Sequence, residues 1–278
     1  MRKVLGPKFV KHYVKPRRVQ GAQVPYDAKR FFESWHQASP EALSDADTIA
    51  SARSSLATHF HYNAVESSII ECLAARALPS PLRVLDVGSG AGHWIDFYLE
   101  VFGAEEVVGL EISEPAVRAL ERRYASTPAV TVVEADVADP GFALGREFDV
   151  VNAIGVMFHI VEDERWEHAV AALGRHLTPG GALVVGGQFG LVTRNVQFHR
   201  TDEFSSWEEF RAASSETALV NKRIRSLRRW RRCARRAGLR VECLRRTRQS
   251  ARLESPENNV LVLTPVSAAS GERASRAG

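Results

Sequence analysis

Little in this sequence is suited to cross-linking it or anchoring it in a membrane. Its 278 residues include three cysteines, Cys72, Cys233 and Cys243. They are odd in number, scattered and without a Cys-x-x-Cys pair. Neither a disulfide scaffold nor a cysteine-rich zinc site is expected, and a reducing cytoplasm is the expected compartment. No apolar run approaches the ~20 residues that span a bilayer. The stretch from Met1 to Arg18 is basic and lacks the apolar core of a secretion signal. His59-Phe60-His61 has no second ligand cluster to complete a metal site, so no metal is expected. No segment repeats. What remains is an ordinary globular composition, 45% hydrophobic and 25% charged. The length suits one large domain with additions and can bury a core without staples.

Acidic residues are scarce at both ends of the folded region. Residues 1–30 hold nine Lys/Arg and one acid, residues 31–221 hold 12 Arg and 28 acids, and residues 222–248 hold 13 Lys/Arg against Glu242 alone. Three readings fit: an anionic partner beside the basic block, the basic segments packing on the acidic body, or a solvated helix face.

Residues 1–25, with Pro7, Pro16 and Pro25 among basic residues, read as an extended arm. Residues 26–80 read as a helical cap, with Phe31, Phe32 and Trp35 on one side and Ala64, Ile69, Leu73 and Leu78 continuing a helical stripe. Residues 81–266 alternate. Strands are predicted at 82–87, 106–110, 130–135, 148–153 and 182–186, the last after the turn Pro179-Gly180-Gly181. Helices are predicted at 92–102, 114–124 (capped by Ser113, with Pro115 in its first turn) and 163–176. Strands at 239–244 and 260–264 follow, making seven. Strands apolar on both faces and separated by helices predict a mostly parallel sheet covered on both sides. The long segment 188–221 reads as an insert, with a helix at 207–213. A basic helix is predicted from Asn221, its inner stripe Ile224, Leu227, Trp230, Ala234 and Ala237. Residues 267–278 read as a disordered tail.

The informative stretch is Val84-Leu85-Asp86-Val87-Gly88-Ser89-Gly90-Ala91-Gly92-His93-Trp94, where the first strand turns into the first helix. Glycines there let a ligand approach the backbone, and the helix N-terminus adds unpaired N–H groups. A dinucleotide loop reads G-x-G-x-x-G. Here the glycines fall at 88, 90 and 92, and His93 takes the third-glycine place. Asp86 precedes the loop, Glu111 ends the second strand, and Asp136 ends the third. These three carboxylates line the sheet edge where ligands of open parallel sheets bind.

Together these residues resemble the class I S-adenosylmethionine-dependent methyltransferase superfamily, over about residues 82–188 and extending toward 265. Phe148-Asp149-Val150-Val151-Asn152-Ala153 and Leu177-Thr178-Pro179-Gly180-Gly181 are similar to further family motifs. The resemblance implies an α/β fold, a Rossmann-like seven-stranded sheet with helices on both faces plus the N-terminal cap, and S-adenosylmethionine as cofactor. It implies that Asp86 orients the loop and the cofactor's amino-acid part, that Glu111 holds both ribose hydroxyls, and that Asp136 accepts from the adenine amine. Gly88, Ser89, Gly90, Gly92 and Trp94 on the loop, and Ile112, Val137, Ala153 and Ile154 at the strand ends, complete the expected cofactor set. A ribose diol suits a bidentate carboxylate acceptor, and no phosphate needs a P-loop lysine.

His159, in Gly155-Val156-Met157-Phe158-His159-Ile160 after the fourth strand, is the candidate base, since imidazole accepts a proton near neutral pH. The other reading of it is packing. His93 and Trp94 are expected to wall the pocket. Tyr26, Tyr62, Asn63, Phe158, Arg194 and Arg200 are the candidate acceptor contacts, the arginines suiting a carboxylate or phosphate. Family motifs for adenine or glutamine N-methylation (Asp/Asn-Pro-Pro-aromatic) and for covalent pyrimidine attack (Pro-Cys) are missing; Asn152-Ala153-Ile154-Gly155 stands instead. The expected activity is methyl transfer to oxygen, or less favourably nitrogen, of a small polar or anionic metabolite or glycan. The alternatives are an RNA methyltransferase using the Arg-rich helix 222–236, an NAD-linked oxidoreductase, which the misplaced third glycine disfavours, and a non-catalytic nucleoside-binding protein.

Overall fold

The structure is a computed structural model that describes residues 27–37, 55–187, 189, 193–199, 219–246 and 259–266. The expected arm, the expected helix at 207–213 and the expected tail lie outside these residues. Among the described residues two helices come first, α1 (Ala28–Gln37) and α2 (Ser55–Leu73). Then follow β1 (Arg83–Val87), α3 (His93–Phe102), β2 (Glu106–Glu111), α4 (Glu114–Arg123), β3 (Val130–Glu134), β4 (Phe148–Ala153), α5 (Asp163–Arg175) and β5 (Leu177–Gly187). The chain continues through β6 (Arg194–His199), β7 (Leu219–Ile224), α6 (Leu227–Arg236), β8 (Leu239–Arg245) and β9 (Asn259–Pro265).

Seven strands form one sheet in the order β3-β2-β1-β4-β5-β9-β8. β1 to β5 run parallel, whereas β9 is antiparallel to β5 and β8 antiparallel to β9. The fold class read from the sequence is the one observed. Successive residues of each strand point to opposite faces, and both faces are apolar. Leu85, Val151, Leu183 and Leu261 join α5 and α6 in one core; Val84, Val150, Val184 and Val262 join α2, α3 and α4 in the other. Strand order reverses between β2-β1 and β4, so the crevice at this edge lies beyond the C-terminal ends of β1 and β4. Open α/β sheets bind ligands at such a switch point.

Three local expectations are corrected. First, Asn221–Ile224 is not the start of the basic helix. It belongs to β7, which pairs antiparallel with β6 in a separate two-stranded sheet. The Ser226 hydroxyl accepts the Arg229 N–H at 3.3 Å, an N-cap that starts the helix at Leu227 and excludes what precedes it. Of the expected inner stripe, Trp230 and Ala234 are buried on α6, joined by Cys233, while Ile224 is buried from a strand. Second, β5 begins at Leu177, so the Pro179-Gly180-Gly181 segment is an irregular start of the strand, marked by a register shift opposite Phe148/Val150. Third, Ser113 occupies the N-cap position of α4 without a side-chain capping bond; its hydroxyl lies 2.8 Å from His36 Nδ1 instead.

Candidate active site

The turn from β1 into α3 is fixed by its glycines. Gly88 has φ +70°, and a Cβ there would run into Val156. Gly92 has φ +95°, and a Cβ there would strike the Tyr124 hydroxyl, which donates to Gly92 O at 3.0 Å and to Asp96 Oδ1 at 2.7 Å. Only glycine meets both demands without strain. The N–H groups of Gly88 and Ser89 donate to Leu110 O at 2.6 and 3.2 Å, which ties the loop to the end of β2.

A cavity of about 190 Å³ opens at these strand ends. Its floor is Gly88, Ser89, Gly90 and Ala91; one wall is Leu110, Glu111 and Ile112, and another Ala135, Asp136, Val137 and Ala138. Ile154, Gly155, Val156, His159 and Ile160 follow β4 into it, and Trp94 and His93 stand on α3. α1 contributes Ala28, Phe32 and His36, α2 contributes Tyr62, and α5 contributes Arg165.

Glu111 is buried at the end of β2. Its Oε1 accepts from Ile112 N–H at 2.8 Å and Ser113 N–H at 3.0 Å, and its Oε2 accepts from Gly90 N–H at 3.0 Å. A carboxylate has about four acceptor sites, so Oε2 retains capacity toward the cavity. Asp136 is held at both oxygens: Oδ1 accepts from Ala138 N–H at 2.8 Å, and Oδ2 pairs with Arg165.

Asp86 does not line the cavity. It is fully buried behind the loop, where Oδ1 accepts from Asn152 Nδ2 at 2.7 Å and Oδ2 has no hydrogen-bond partner among the described residues. Burial pushes its carboxyl up to about 6; the hydrogen bond from Asn152 and the nearby Ser89 hydroxyl work against that rise, and the neighbouring Glu111 charge adds to it. The Ser89 hydroxyl donates to Asp86 O at 3.0 Å, so the residue touches the loop through its backbone. Tyr98 donates to Asn152 Oδ1 at 3.3 Å; burial, and then the Asp86 charge, raise its phenol well above the ordinary value.

His159 lines the cavity with its ring edge-on to Phe32, centroids 5.1 Å apart at 90°. His93 also lines it, stacked on Tyr62 at 3.5 Å and bonded through Nε2 to Glu66 Oε1 at 2.7 Å. The residues expected on the acceptor side divide. Tyr62 faces the cavity, while Asn63 is exposed and meets His59 at 3.0 Å. Phe158 faces a separate small recess near Gly187 and Arg223, with Lys222 Nζ 4.7 Å from its ring centre. Ala153 is buried in the strand and Gly92 lies outside the lining. Arg194 begins β6, with its side chain outside what the structure describes; Tyr26 and Arg200 lie outside the described residues.

Phe32 was expected in the helical cap and lines the cavity, whereas His36, Glu162 and Arg165 were not anticipated. His36 sits four residues after Phe32 on α1, a spacing that puts both on one helix face, and that was the available signal. No group of three or more His, Cys, Asp or Glu among the described residues could hold a metal, and none of their helices is long and apolar enough to cross a membrane.

Residues 84–181 match the model of a family described as a methyltransferase domain. Over 123 residues the chain is 33% identical to dTDP-3-amino-3,4,6-trideoxy-alpha-D-glucopyranose N,N-dimethyltransferase of Streptomyces venezuelae, covering 44% of this chain and 49% of that protein. Over 120 residues it is 32% identical to trans-aconitate 2-methyltransferase of an Acidovorax species, covering 42% of each. The chain thus spans about half the length of the curated relatives it matches. Among solved structures, the glycopeptide N-methyltransferase MtfA with S-adenosylmethionine superposes with TM-score 0.53 at 17% identity, over 73% of this chain and 87% of that one. The CcbJ methyltransferase of Streptomyces caelestis superposes with TM-score 0.56 at 19% identity, over 87% of this chain and all of that one. A cavity at the switch point, a glycine turn beneath it and acids at successive strand ends accompany these matches: residues 84–181 are similar to a methyltransferase domain, and the fold is that of the solved methyltransferase structures.

Proposed function

We propose that the chain binds S-adenosylmethionine in this cavity and transfers its methyl group to an amine or hydroxyl of a small sugar-like acceptor. The observation that carries the reading is Glu111: a buried carboxylate, fixed by three backbone N–H groups, with acceptor capacity left at the oxygen that faces the glycine loop. The donor set fits the cofactor. Ribose hydroxyls would meet Glu111, the adenine amine would meet the carboxylate that Arg165 holds at Asp136, and Val137, Ala138 and Ile112 supply apolar contact for the base. When bound, the cofactor supplies a methyl group on a sulfonium centre, an electrophile that needs alignment and a neutral nucleophile.

The residues of this chain provide that alignment. Phe32, Tyr62 and Trp94 exclude water from the cavity. His159, pinned by Phe32, takes the acceptor's proton and serves a hydroxyl or an ammonium alike. The sugar-like acceptor is supported by the Streptomyces venezuelae relative, named for an amino-sugar substrate, and by a structural neighbour described as an amino pentose methyltransferase. α1 and α2, the helices of the proposed cap, complete the acceptor side through Phe32, His36 and Tyr62.

The direct test is Glu111→Ala. It should weaken S-adenosylmethionine binding by about 1.5–3 kcal/mol, the worth of hydrogen bonds to a charged group, when measured by titration calorimetry. Unchanged affinity would overturn the assignment. Incubating the wild-type protein with the cofactor and a panel of amino sugars, then looking for methylated product by mass spectrometry, tests the acceptor class.

A further inference from the structure

We propose that Cys72 and Cys243 form a reversible dithiol–disulfide site that clamps α2 to the edge of the sheet. The sequence places these residues 171 positions apart, yet their sulfurs lie 2.9 Å from one another, inside van der Waals contact. Both are free thiols. Cys72 sits on the last turn of α2, and Cys243 on β8, the edge strand.

The backbone on either side of the pair is already fixed. Arg76 bonds Glu242 and Gly180 O (2.7 Å), and Arg245 lies 3.5 Å from Glu71. Val65, Ile69 and Leu73 bury the same face of α2 in the core that contains Val260 and Val262. The two sulfurs are therefore held together by packing and ion pairs on both elements. Cys233 belongs to the opposite core, among Trp166 and Trp230, and has no part in the pair.

The chemistry is exchange with a low-molecular-weight disulfide, R–S–S–R. Cys243, the more exposed of the two, attacks as thiolate, forming a Cys243–S–S–R bond and releasing R–S⁻. Cys72 then loses its proton and attacks the Cys243 sulfur, which forms the Cys72–Cys243 bond and expels the second R–S⁻. Two protein thiols are oxidised and one reagent disulfide is reduced to two thiols. Burial, then the hydrogen bond to Cys243, pushes the Cys72 thiol of the reduced pair up to about 12, so Cys243 rather than Cys72 makes the first attack. The consequence reaches the cavity. α2 carries Tyr62 into its wall and Glu66 onto His93, so the bond fixes the helix that supplies both.

The test is made on the full chain, incubated with glutathione disulfide or with dithiothreitol, then unfolded and alkylated. Oxidised protein should lose two hydrogens, accept one alkyl group at Cys233, and give a proteolytic fragment joining the Cys72 and Cys243 peptides. Its thermal midpoint should rise by roughly 5 °C or more, as expected when a long loop is closed, and dithiothreitol should reverse the rise. Cys243→Ser and Cys72→Ala should each abolish the link and the shift. Three alkylated cysteines after oxidation, a stable glutathione adduct at Cys243 without closure, or a link through Cys233 would each overturn the proposal. All three readouts come from wild-type protein, so the variants need not fold for the site to be refuted.

Discussion

At the scale of single residues, Asp86 and His159 make the sharpest demands. Asp86 is fully buried with one oxygen lacking a hydrogen-bond partner among the described residues, and burial lifts its carboxyl from 3.8 to about 6. Its folded value lies above its unfolded one. Between about pH 4 and 6 the native chain therefore binds more protons than the unfolded chain, and stability falls as pH rises through that window. At 1.36 kcal/mol per unit, the ionised carboxylate costs about 3 kcal/mol above pH 6. Asp86→Asn keeps an acceptor for Asn152 Nδ2 and removes the titration. Urea unfolding should show the variant gaining on the wild type as pH rises from 4 to 7, and parallel stability profiles would contradict this. His159 faces the cavity edge-on to Phe32. His159→Asn should lower methyl transfer by ~10²-fold or more, the range of general base catalysis, while cofactor affinity by calorimetry changes little. A loss confined to cofactor affinity would make the ring a packing group.

Elements built from local signals were legible in the sequence, and elements built from distant pairings were not. β1 to β4 carry their apolar runs and the glycine turn in contiguous residues, so the strand-end acids Glu111 and Asp136 could be located to the cavity rim from spacing alone. The hydroxyl of Ser226 is what separates β7 from α6, but Ile224-Arg225-Ser226-Leu227 fits a helical stripe as well as a strand followed by a cap. The choice is made by β6, more than 20 residues away. The meeting of Cys72 with Cys243, and of His36 with Ser113, has the same origin in tertiary packing. So does the junction of α5, β7 and α6, where Arg223 bonds Asp163 twice at 2.7 Å and Arg225 and Arg229 approach it at 3.1 Å. Arg225 is almost wholly buried over the Trp166 ring, 4.3 Å from its centre, and burial lowers its guanidinium to about 10 against the pull of Asp163. Partial burial raises the Asp163 carboxyl, but the three arginines outweigh it and hold the group below its usual value. Its contribution is therefore present above the unfolded value and lost as pH falls through the lowered one. Asp163→Ala would leave a buried guanidinium uncompensated and should cost about 3 kcal/mol in denaturant unfolding at pH 7; a change within 0.5 kcal/mol would show the cluster to be energetically idle.

Across the whole molecule, the charge asymmetry of the sequence is answered in part by the fold. Arg223, Arg225 and Arg229 meet Asp163, Arg229 and Arg236 meet Glu167, Arg240 meets Glu242, and Arg245 meets Glu71. Arg223, Arg225, Arg229, Arg236 and Arg245 of the basic block thereby pair with the acidic body, as one of the three readings of the sequence required, whereas Glu242 belongs to the block itself. Arg228, Arg231, Arg232 and Arg235 remain exposed on α6, the face that an RNA-binding reading would use. The two uses of that helix differ in their response to salt. A chain that neutralises several RNA phosphates loses affinity with a log–log slope of roughly −0.7 per phosphate on a single strand. On the proposed reading, a cofactor held by Glu111 and Asp136 inside the cavity would release few counterions. Raising sodium chloride from 50 to 200 mM should therefore change S-adenosylmethionine affinity less than about threefold. Charge reversal by Arg228→Glu and Arg232→Glu together should leave that affinity, and methyl transfer to a sugar-like acceptor, unaltered. Fluorescence anisotropy with a labelled single-stranded RNA supplies the opposing arm. Tight binding that collapses both with salt and in the double variant, accompanied by methylated RNA, would displace the small acceptor in favour of a nucleic acid.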